Sequence, residues 1–276
     1  MLRIMTHNLW NKDENSFEWQ EKGLDCSAKA RLPAILRVYK ETMPDLIGGQ
    51  EVSSLMETLL KQNTDYDFIE GNYTPIFYKR EKLELIESQF ILYPETIKGY
   101  EGTFNDSKSK AFNVAVFKEI ENKKIFIFAN THLWWKTSDE SKKGTHSYQK
   151  YSDEARVYQI NMLLEKVDFL MKKYGCPAIV VGDLNTDYNS AVLKQLFKNG
   201  YKHTHDIATK TVDETMGLHY CYPDGFENFY YDKPFECAID HILLKGEGEV
   251  ENFNRYSPKY YLPISDHSPA YIDIKL

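Results

Sequence analysis

The sequence predicts an α/β fold. Short apolar runs of strand length alternate with longer stretches whose apolar residues recur at helical spacing. Several of the strand runs lead straight into a polar turn, the arrangement in which sheet scaffolds carry their chemistry. With 276 residues, 42% hydrophobic and 14% aromatic, the chain can bury a large core. A single domain spanning residues 1–276 is therefore the expectation, and neither an internal repeat nor a low-complexity linker divides it.

Taken in order, residues 2–9 alternate as a strand. Residues 28–39 then place Ala30, Ile35, Leu36 and Tyr39 at helical spacing, with Pro33 expected in the first turn. Leu46-Ile47 runs through Gly48-Gly49 into Gln50-Glu51-Val52, and Ser53 can cap a helix through Leu60. Strands are expected at 75–79, 83–91, 112–117 and 125–133, and the longest helix at 148–174. In that helix Val157, Ile160, Leu163, Leu164, Val167 and Leu170 share one side. Gly175 and Pro177 end it, the apolar run 178–181 reads as a strand inside a sheet, and Gly182-Asp183 forms a second strand-to-turn junction. A helix at 191–197, a long polar and aromatic loop at 209–236, and strands at 238–244 and 270–274 complete the map.

Charge and cysteine usage narrow the function. The 34 basic against 41 acidic residues give a net charge of −7, so no strong grip on duplex DNA is advertised. Lys108, Lys110, Lys142 and Lys143 read as solvated loop residues, although they could line a local positive groove. Cys26, Cys176, Cys221 and Cys237 form no CxxC pair, which argues against a zinc or redox motif and for reduced thiols in a cytoplasmic protein. Neither a signal peptide nor an apolar stretch approaching the roughly 20 residues of a transmembrane segment is found. The protein is expected to be a soluble monomer.

Polar residues stand at strand ends throughout: Asn8, Glu51, His132, Asp183 and the pair Asp266-His267. Converging on one rim, they suit attack of water on an anionic phosphoester. That reaction needs a cation against the oxygens, a base for the water and donors for the developing charge. Carboxylate and amide oxygens without cysteine favour Mg²⁺ or Mn²⁺. Two histidines near carboxylates can move protons at neutral pH.

Six segments carry a resemblance in order: Thr6-His7-Asn8-Leu9-Trp10, Gly49-Gln50-Glu51-Val52, Asn130-Thr131-His132-Leu133, Gly182-Asp183-Leu184-Asn185-Thr186, Ile239-Asp240-His241-Ile242 and Ser265-Asp266-His267-Ser268. They resemble the motifs of the endonuclease/exonuclease/phosphatase superfamily. The resemblance implies a four-layer α/β/β/α sandwich of the deoxyribonuclease I-like kind and a Mg²⁺ or Mn²⁺ site at one end of its sheets. It implies Glu51 as principal metal ligand, with Asn8 and Asp266 near the metal or its waters. Asp183 and Asn185 would orient the attacking water, and Asp183 and His267 would jointly take its proton, with Asp240 paired to His267. His132 would stabilise the phosphorus centre or protonate the leaving oxygen. Alone, each residue has a plainer reading, such as an Asx cap for Asp183 or a structural histidine for His132; their joint order outweighs it. His241, Asn130 and Gln50 read as supporting residues, as do Arg156 and Gln159 on the long helix. Core packing is the expectation for Trp134 and Trp135.

Two positions depart from the pattern. Ser53 stands where nuclease relatives carry a phosphate-holding arginine, which weakens a duplex-nuclease reading. The glutamate that pairs with the catalytic histidine in relatives has Asn72 or Glu70 as its nearest counterparts. The expectation is a metal-dependent phosphoester hydrolase, a phosphodiesterase first, with a phosphomonoesterase acting on a small metabolite or lipid headgroup, or a repair-type endonuclease, as alternatives. A binding module that had lost turnover would predict replacement of Glu51 or His267, and both are present. Tyr220, Tyr222, Phe226, Phe229, Tyr230 and Tyr231 lie where relatives place recognition elements, as a wall for a ligand or as loop packing.

Overall fold

The computed structural model describes residues 1–212, 238–261 and 263–276. The aromatic loop residues 220–231, with Cys221 and Cys237, lie outside the described residues. Cys26 and Cys176 are free thiols. No described helix is long and apolar enough to cross a membrane.

The first sheet is built from β1 (Leu2–Asn8), β2 (Leu46–Gln50), β3 (Asp67–Ile69), β4 (Ile76–Tyr78), β10 (Lys210–Thr211), β12 (Glu249–Arg255) and β13 (Ala270–Lys275), in the order β10-β12-β13-β1-β2-β4-β3. The second takes β5 (Leu83–Leu92), β6 (Ala111–Glu119), β7 (Ile125–His132), β8 (Ala178–Asp183), β9 (Lys202–His203) and β11 (Asp240–Lys245), in the order β5-β6-β7-β8-β11-β9. Among the helices α1 (Phe17–Glu21), α2 (Ala28–Thr42), α3 (Ser54–Asn63), α4 (Ser152–Tyr174), α5 (Ala191–Lys198) and α6 (Thr204–Ile207), α2 and α3 cover the first sheet and α4 and α5 the second.

The strands' period of two explains this layering. Ile4, Leu46 and Ile272 of the first sheet meet Phe126, Phe128, Ile179, Val181 and Ile242 of the second in one apolar layer. The alternate residues Met5, Ile47 and Phe77 turn outward onto Ile35, Val38, Met56 and Leu60 of α2 and α3. Ile127, Ala129, Ala178 and Val180 turn outward onto Ile160, Leu163, Leu164 and Val167 of α4. The result is the expected four-layer α/β/β/α sandwich.

Two glycines permit the close approaches. A Cβ on Gly182, whose φ is +151°, would stand 1.9 Å from the Thr131 carbonyl oxygen. One on Gly48 would stand 2.5 Å from Val181 Cγ2 of the facing sheet. Larger residues would force the β7–β8 ladder and the two sheets apart.

Ser53 caps α3 by accepting the Met56 N–H at 3.1 Å, as its position predicts. Pro33 departs from expectation and sits in the second turn of α2, because Ser27 caps the helix at Ala28. Pro33 and Lys29, whose carbonyl loses its helical donor, are both exposed, so water can replace the missing bond. The long helix starts at Ser152 rather than 148. The short elements α1, β3, β9, α6 and β10 and the longer β12 carry too little apolar periodicity to be read from sequence.

Candidate active site

The site is the polar end of the layer between the sheets. On β1 the inward positions run Leu2, Ile4, Thr6, Asn8, and on β8 they run Ile179, Val181, Asp183. β7 likewise passes from Phe126 and Phe128 to Asn130 and His132, and antiparallel β11 brings Asp240 to the same end. The ladders fix the alignment: His132 pairs with Asp183 and Asp183 with Asp240. Apolar residues thus bury the strands while the next inward-facing positions supply the chemistry.

All eight predicted residues gather there. Asn8 Nδ2 donates to Asp183 Oδ2 at 3.0 Å across the gap between sheets. Glu51 follows β2 in the left-handed region, φ +55°, an unusual conformation for a residue with a Cβ. Its Oε2 accepts the Asn11 N–H at 3.0 Å. Asn185, also left-handed at φ +51°, donates its backbone N–H to Asp183 Oδ1 at 2.9 Å and its side chain to the Leu133 carbonyl at 3.1 Å. His267 Nδ1 lies 2.7 Å from Asp240 Oδ2, and its Nε2 lies 3.8 Å from Asp183 Oδ2 and 4.0 Å from Asp266 Oδ1. Glu51, His132 and Asp183 form one cluster and Asp183, Asp240 and His267 another, each with ligand atoms within 4.8 Å of one another.

The electrostatics follow from crowding charge in a dry place. Burial raises the Asp183 carboxyl well above its usual range, with the His267 charge opposing and Asp240 reinforcing. Burial raises Asp266 too, and Glu51 adds to the shift. Burial alone would lower the His267 imidazole, yet Asp240, Asp183 and Asp266 together hold it well above its usual value. Burial pushes the Asp240 carboxyl upward, but His267 and Arg255 pull it below its usual range. His132 is instead driven down, first by burial and then by Lys110 and His267.

Lys110 is a correction to the sequence reading. Of the four lysines read as solvated loop, Lys108, Lys142 and Lys143 are exposed, but Lys110 is buried with Nζ 2.6 Å from His132 Nε2. Neither expected histidine partner is in place: Asn72 donates to the Lys108 carbonyl at 2.6 Å, and exposed Glu70 pairs with Lys61 at 3.4 Å. No periodic pattern marks Lys110, because its burial depends on the turn that Asn105 closes and on the contact with His132, 22 residues away.

Arg31 was also missed. Its guanidinium, 1% exposed, donates to the carbonyls of Leu9, Trp10 and Lys12 after Asn8 and to that of Ile264 before Asp266. It ties together the two segments bearing those residues. A signal existed, since Ala28, Arg31, Ile35 and Val38 repeat at helical spacing and put an arginine on the apolar face.

The supporting residues have separate tasks. Asn130 donates across the sheets to the Gly49 and Pro75 carbonyls and accepts from Gln50 at 2.6 Å. His241 contacts the Thr186 carbonyl at 2.8 Å. Arg156 donates to the Trp134 and Lys136 carbonyls and Gln159 accepts the Trp134 N–H, fixing the segment after His132. Trp134 is wholly buried against Phe104, whereas Trp135 is 40% exposed rather than packed in the core.

The four-layer fold and the sequence together define one class of α/β/β/α sandwich proteins. The family model described as Endonuclease/Exonuclease/phosphatase family matches residues 5–267, and the chain belongs to that family. No curated protein matches the sequence. Among solved structures, it is similar to an endonuclease/exonuclease/phosphatase family protein of Bacteroides thetaiotaomicron, at 20% identity over 99% of this chain and 94% of that one, TM-score 0.76. It is also similar to a mannosyl-6-phosphatase of the same organism, at 19% identity over 100% of both chains, TM-score 0.77. The human Nocturnin catalytic domain, solved with a bound sulfate anion, follows at 17% identity over 99% and 94%, TM-score 0.66.

Proposed function

We propose that this protein is a divalent-metal-dependent phosphoester hydrolase in which an activated water attacks phosphorus in line. The observation that carries the reading is the pair of clusters sharing Asp183, which sets an acidic face beside a buried Asp–His dyad. The donors suit Mg²⁺ or Mn²⁺. Glu51, Asn8 and Asp266 supply hard oxygens, and Asp266 Oδ1 is buried without a hydrogen-bond partner among the described residues. After burial, the neighbouring Glu51 carboxylate helps to raise the Asp266 carboxyl, a repulsion that a bound cation relieves. When bound, the ion neutralises charge on the phosphoryl oxygens.

The chain's own groups perform the remaining tasks. Asp183, its carboxyl raised by burial, takes the water's proton, while Asp240 orients His267 and keeps it charged through the 2.7 Å bond, so that the imidazolium steadies the ionised Asp183 3.8 Å away. Asn185 and Asn8 hold Asp183 in place. His132 accepts at Nε2 from Lys110, so it acts as a neutral ring rather than as the leaving-group acid.

A phosphodiester is the first candidate substrate. A second reading, a phosphomonoester of a small metabolite, is favoured by the full-length likeness to the mannosyl-6-phosphatase. Ser53 is occupied as a helix cap bonded to Asp13, which leaves no phosphate-holding arginine there and disfavours duplex DNA. A hydrolysis screen with Mg²⁺ and Mn²⁺ across bis(p-nitrophenyl) phosphate, oligonucleotides, sphingomyelin, inositol phosphates and sugar phosphates tests the reading. Turnover of diesters supports the first candidate and a monoester-only profile the second. No turnover of any phosphoester refutes both.

A further inference from the structure

Behind the catalytic rim, on the face of β11 turned away from Asp240, two histidines are buried where apolar side chains would pack. Ile242 and Leu244 follow Asp240 into the layer between the sheets, while Leu243 joins the apolar layer under α4 and α5. By strand alternation His241 shares the Leu243 face, and His203 of β9 meets its ring; both histidines are 1% exposed. His203 Nε2 lies 3.1 Å from His241 Nδ1, and His241 Nε2 lies 2.8 Å from the Thr186 carbonyl oxygen. Thr204 Oγ1 donates to the Ile242 carbonyl at 2.8 Å and so fastens the β9–α6 corner to β11.

This chain of bonds has one direction, and both of its ends fix it. A carbonyl only accepts, so His241 carries its proton on Nε2 and leaves Nδ1 as an acceptor, to which His203 Nε2 must donate. From the other end, His203 Nδ1 accepts the His205 backbone N–H at 3.2 Å, which again leaves the His203 proton on Nε2. Two neutral rings are needed, and burial supplies them: it drives His203 well below its usual range and His241 down to about 4. The last link grips the turn that carries Asn185. That residue is left-handed and donates its backbone N–H to Asp183 Oδ1 at 2.9 Å. The entry to the turn is tied by the Leu184 N–H to the Ile239 carbonyl at 2.9 Å and by Asn185 Nδ2 to the Leu133 carbonyl. At its exit, His241 is the one donor to the Thr186 carbonyl among the described residues.

We propose that His203 and His241 form a positioning relay that locks the Asn185–Thr186 turn and thereby holds the Asp183 carboxylate where it takes the proton of the attacking water. The inference rests on the reading of the protein as a phosphoester hydrolase with Asp183 as base. An apolar pair on this face would avoid the desolvation of two imidazoles. What the polar pair supplies instead is a directed hold on one carbonyl, immediately after the residue that caps the base.

The test measures kcat and KM for bis(p-nitrophenyl) phosphate and p-nitrophenyl phosphate at saturating Mn²⁺, beside thermal melts. It compares the full-length wild type with His241→Leu, His241→Gln, His203→Phe and the double variant His203→Phe/His241→Leu. His241→Leu removes the donor to Thr186, and its kcat should fall about 10- to 100-fold, the range for loss of a group that orients a functional one, with KM near that of the wild type. His241→Gln keeps an amide donor at the reach of Nε2 and should restore most of kcat. His203→Phe frees His241 to take the other tautomer and should also lower kcat. The double variant should be no slower than His241→Leu, because both changes act through one bond. A His241→Leu protein that melts lower yet keeps the wild-type kcat, a loss confined to KM, or a glutamine variant as slow as the leucine one overturns the relay. If His241→Leu does not fold, His203→Phe decides: a lower kcat at unchanged KM supports the relay, and a wild-type kcat overturns it. A wild type that turns over no phosphoester of the screen above overturns the underlying functional reading, whereas an active wild type with an equally active His241→Leu overturns the relay alone.

Discussion

Replacing Asp240 by asparagine removes one negative charge and almost no volume from the centre of the dyad. Asp240 Oδ2 lies 2.7 Å from His267 Nδ1, and both residues are at most 5% exposed. Two unit charges about 4 Å apart interact by about 4 kcal/mol at the effective dielectric of about 20 that describes such sites. Part of that attraction is already present before water is deprotonated, so it bounds the loss from above. At about 1.4 kcal/mol per decade, the ceiling corresponds to about 10³-fold in rate. Loss of the correct ring tautomer can add to this, as in serine proteases where the equivalent change costs about 10⁴-fold. Asp240→Asn is therefore expected to lower kcat by about 10²- to 10⁴-fold. Mn²⁺ affinity should stay near that of the wild type, because Asp240 is outside the proposed metal-holding set. Steady-state hydrolysis from pH 6 to 9, calorimetric Mn²⁺ titration and a thermal melt supply the readouts. A folded variant with kcat within tenfold of wild type throughout would refute the role given to the dyad.

Three further outcomes follow from the geometry. His7 is buried between the Tyr39 and Tyr261 hydroxyls, and burial lowers its pKa to about 3. The unfolded chain thus binds the extra proton first, and stability falls as pH drops below about 6.5. His7→Gln should therefore lose about 2 kcal/mol less than wild type between pH 7 and 5 in metal-free urea titrations, and parallel losses would contradict the neutral buried ring. Gly182→Ala meets the Thr131 carbonyl and a positive φ together, so a loss of about 3 kcal/mol or more, or failure to fold, is expected. An alanine variant with wild-type urea midpoint would mean that the β7–β8 ladder is not held as described. Arg31→Met should lower Tm and weaken Mn²⁺ binding together, since both bridged segments loosen; an unchanged Mn²⁺ affinity would separate Arg31 from the site.

The candidate site was legible because its residues extend a regular pattern. Ile4, Thr6 and Asn8, or Ile179, Val181 and Asp183, are alternate positions of one strand face, so the apolar residues that identify the strand also predict where its polar end points. What escaped reading depends on contacts between distant segments. Lys110 sits among Asp106, Ser107 and Lys108 and looks solvated until Asn105 and His132 enclose it. β12 has only Val250 and Phe253 buried among its hydrophobic positions, and an irregular register between Val250 and Asn252 breaks the alternation. The departure at Asn72 was visible, but its consequence was not: the residue holds the loop that delivers the lysine instead of touching His132.

The central claim is that carboxylates at this rim hold a divalent ion that phosphoester hydrolysis requires. The most direct measurement is a Mn²⁺ titration of hydrolysis by EDTA-stripped wild type beside Glu51→Gln. The wild type should be inactive without metal and recover on titration, while the variant should need far more Mn²⁺ and reach, at saturation, a rate lower by about 10²-fold or more. Hydrolysis that persists after complete metal removal, or a Glu51→Gln titration superimposable on that of the wild type, would contradict the account.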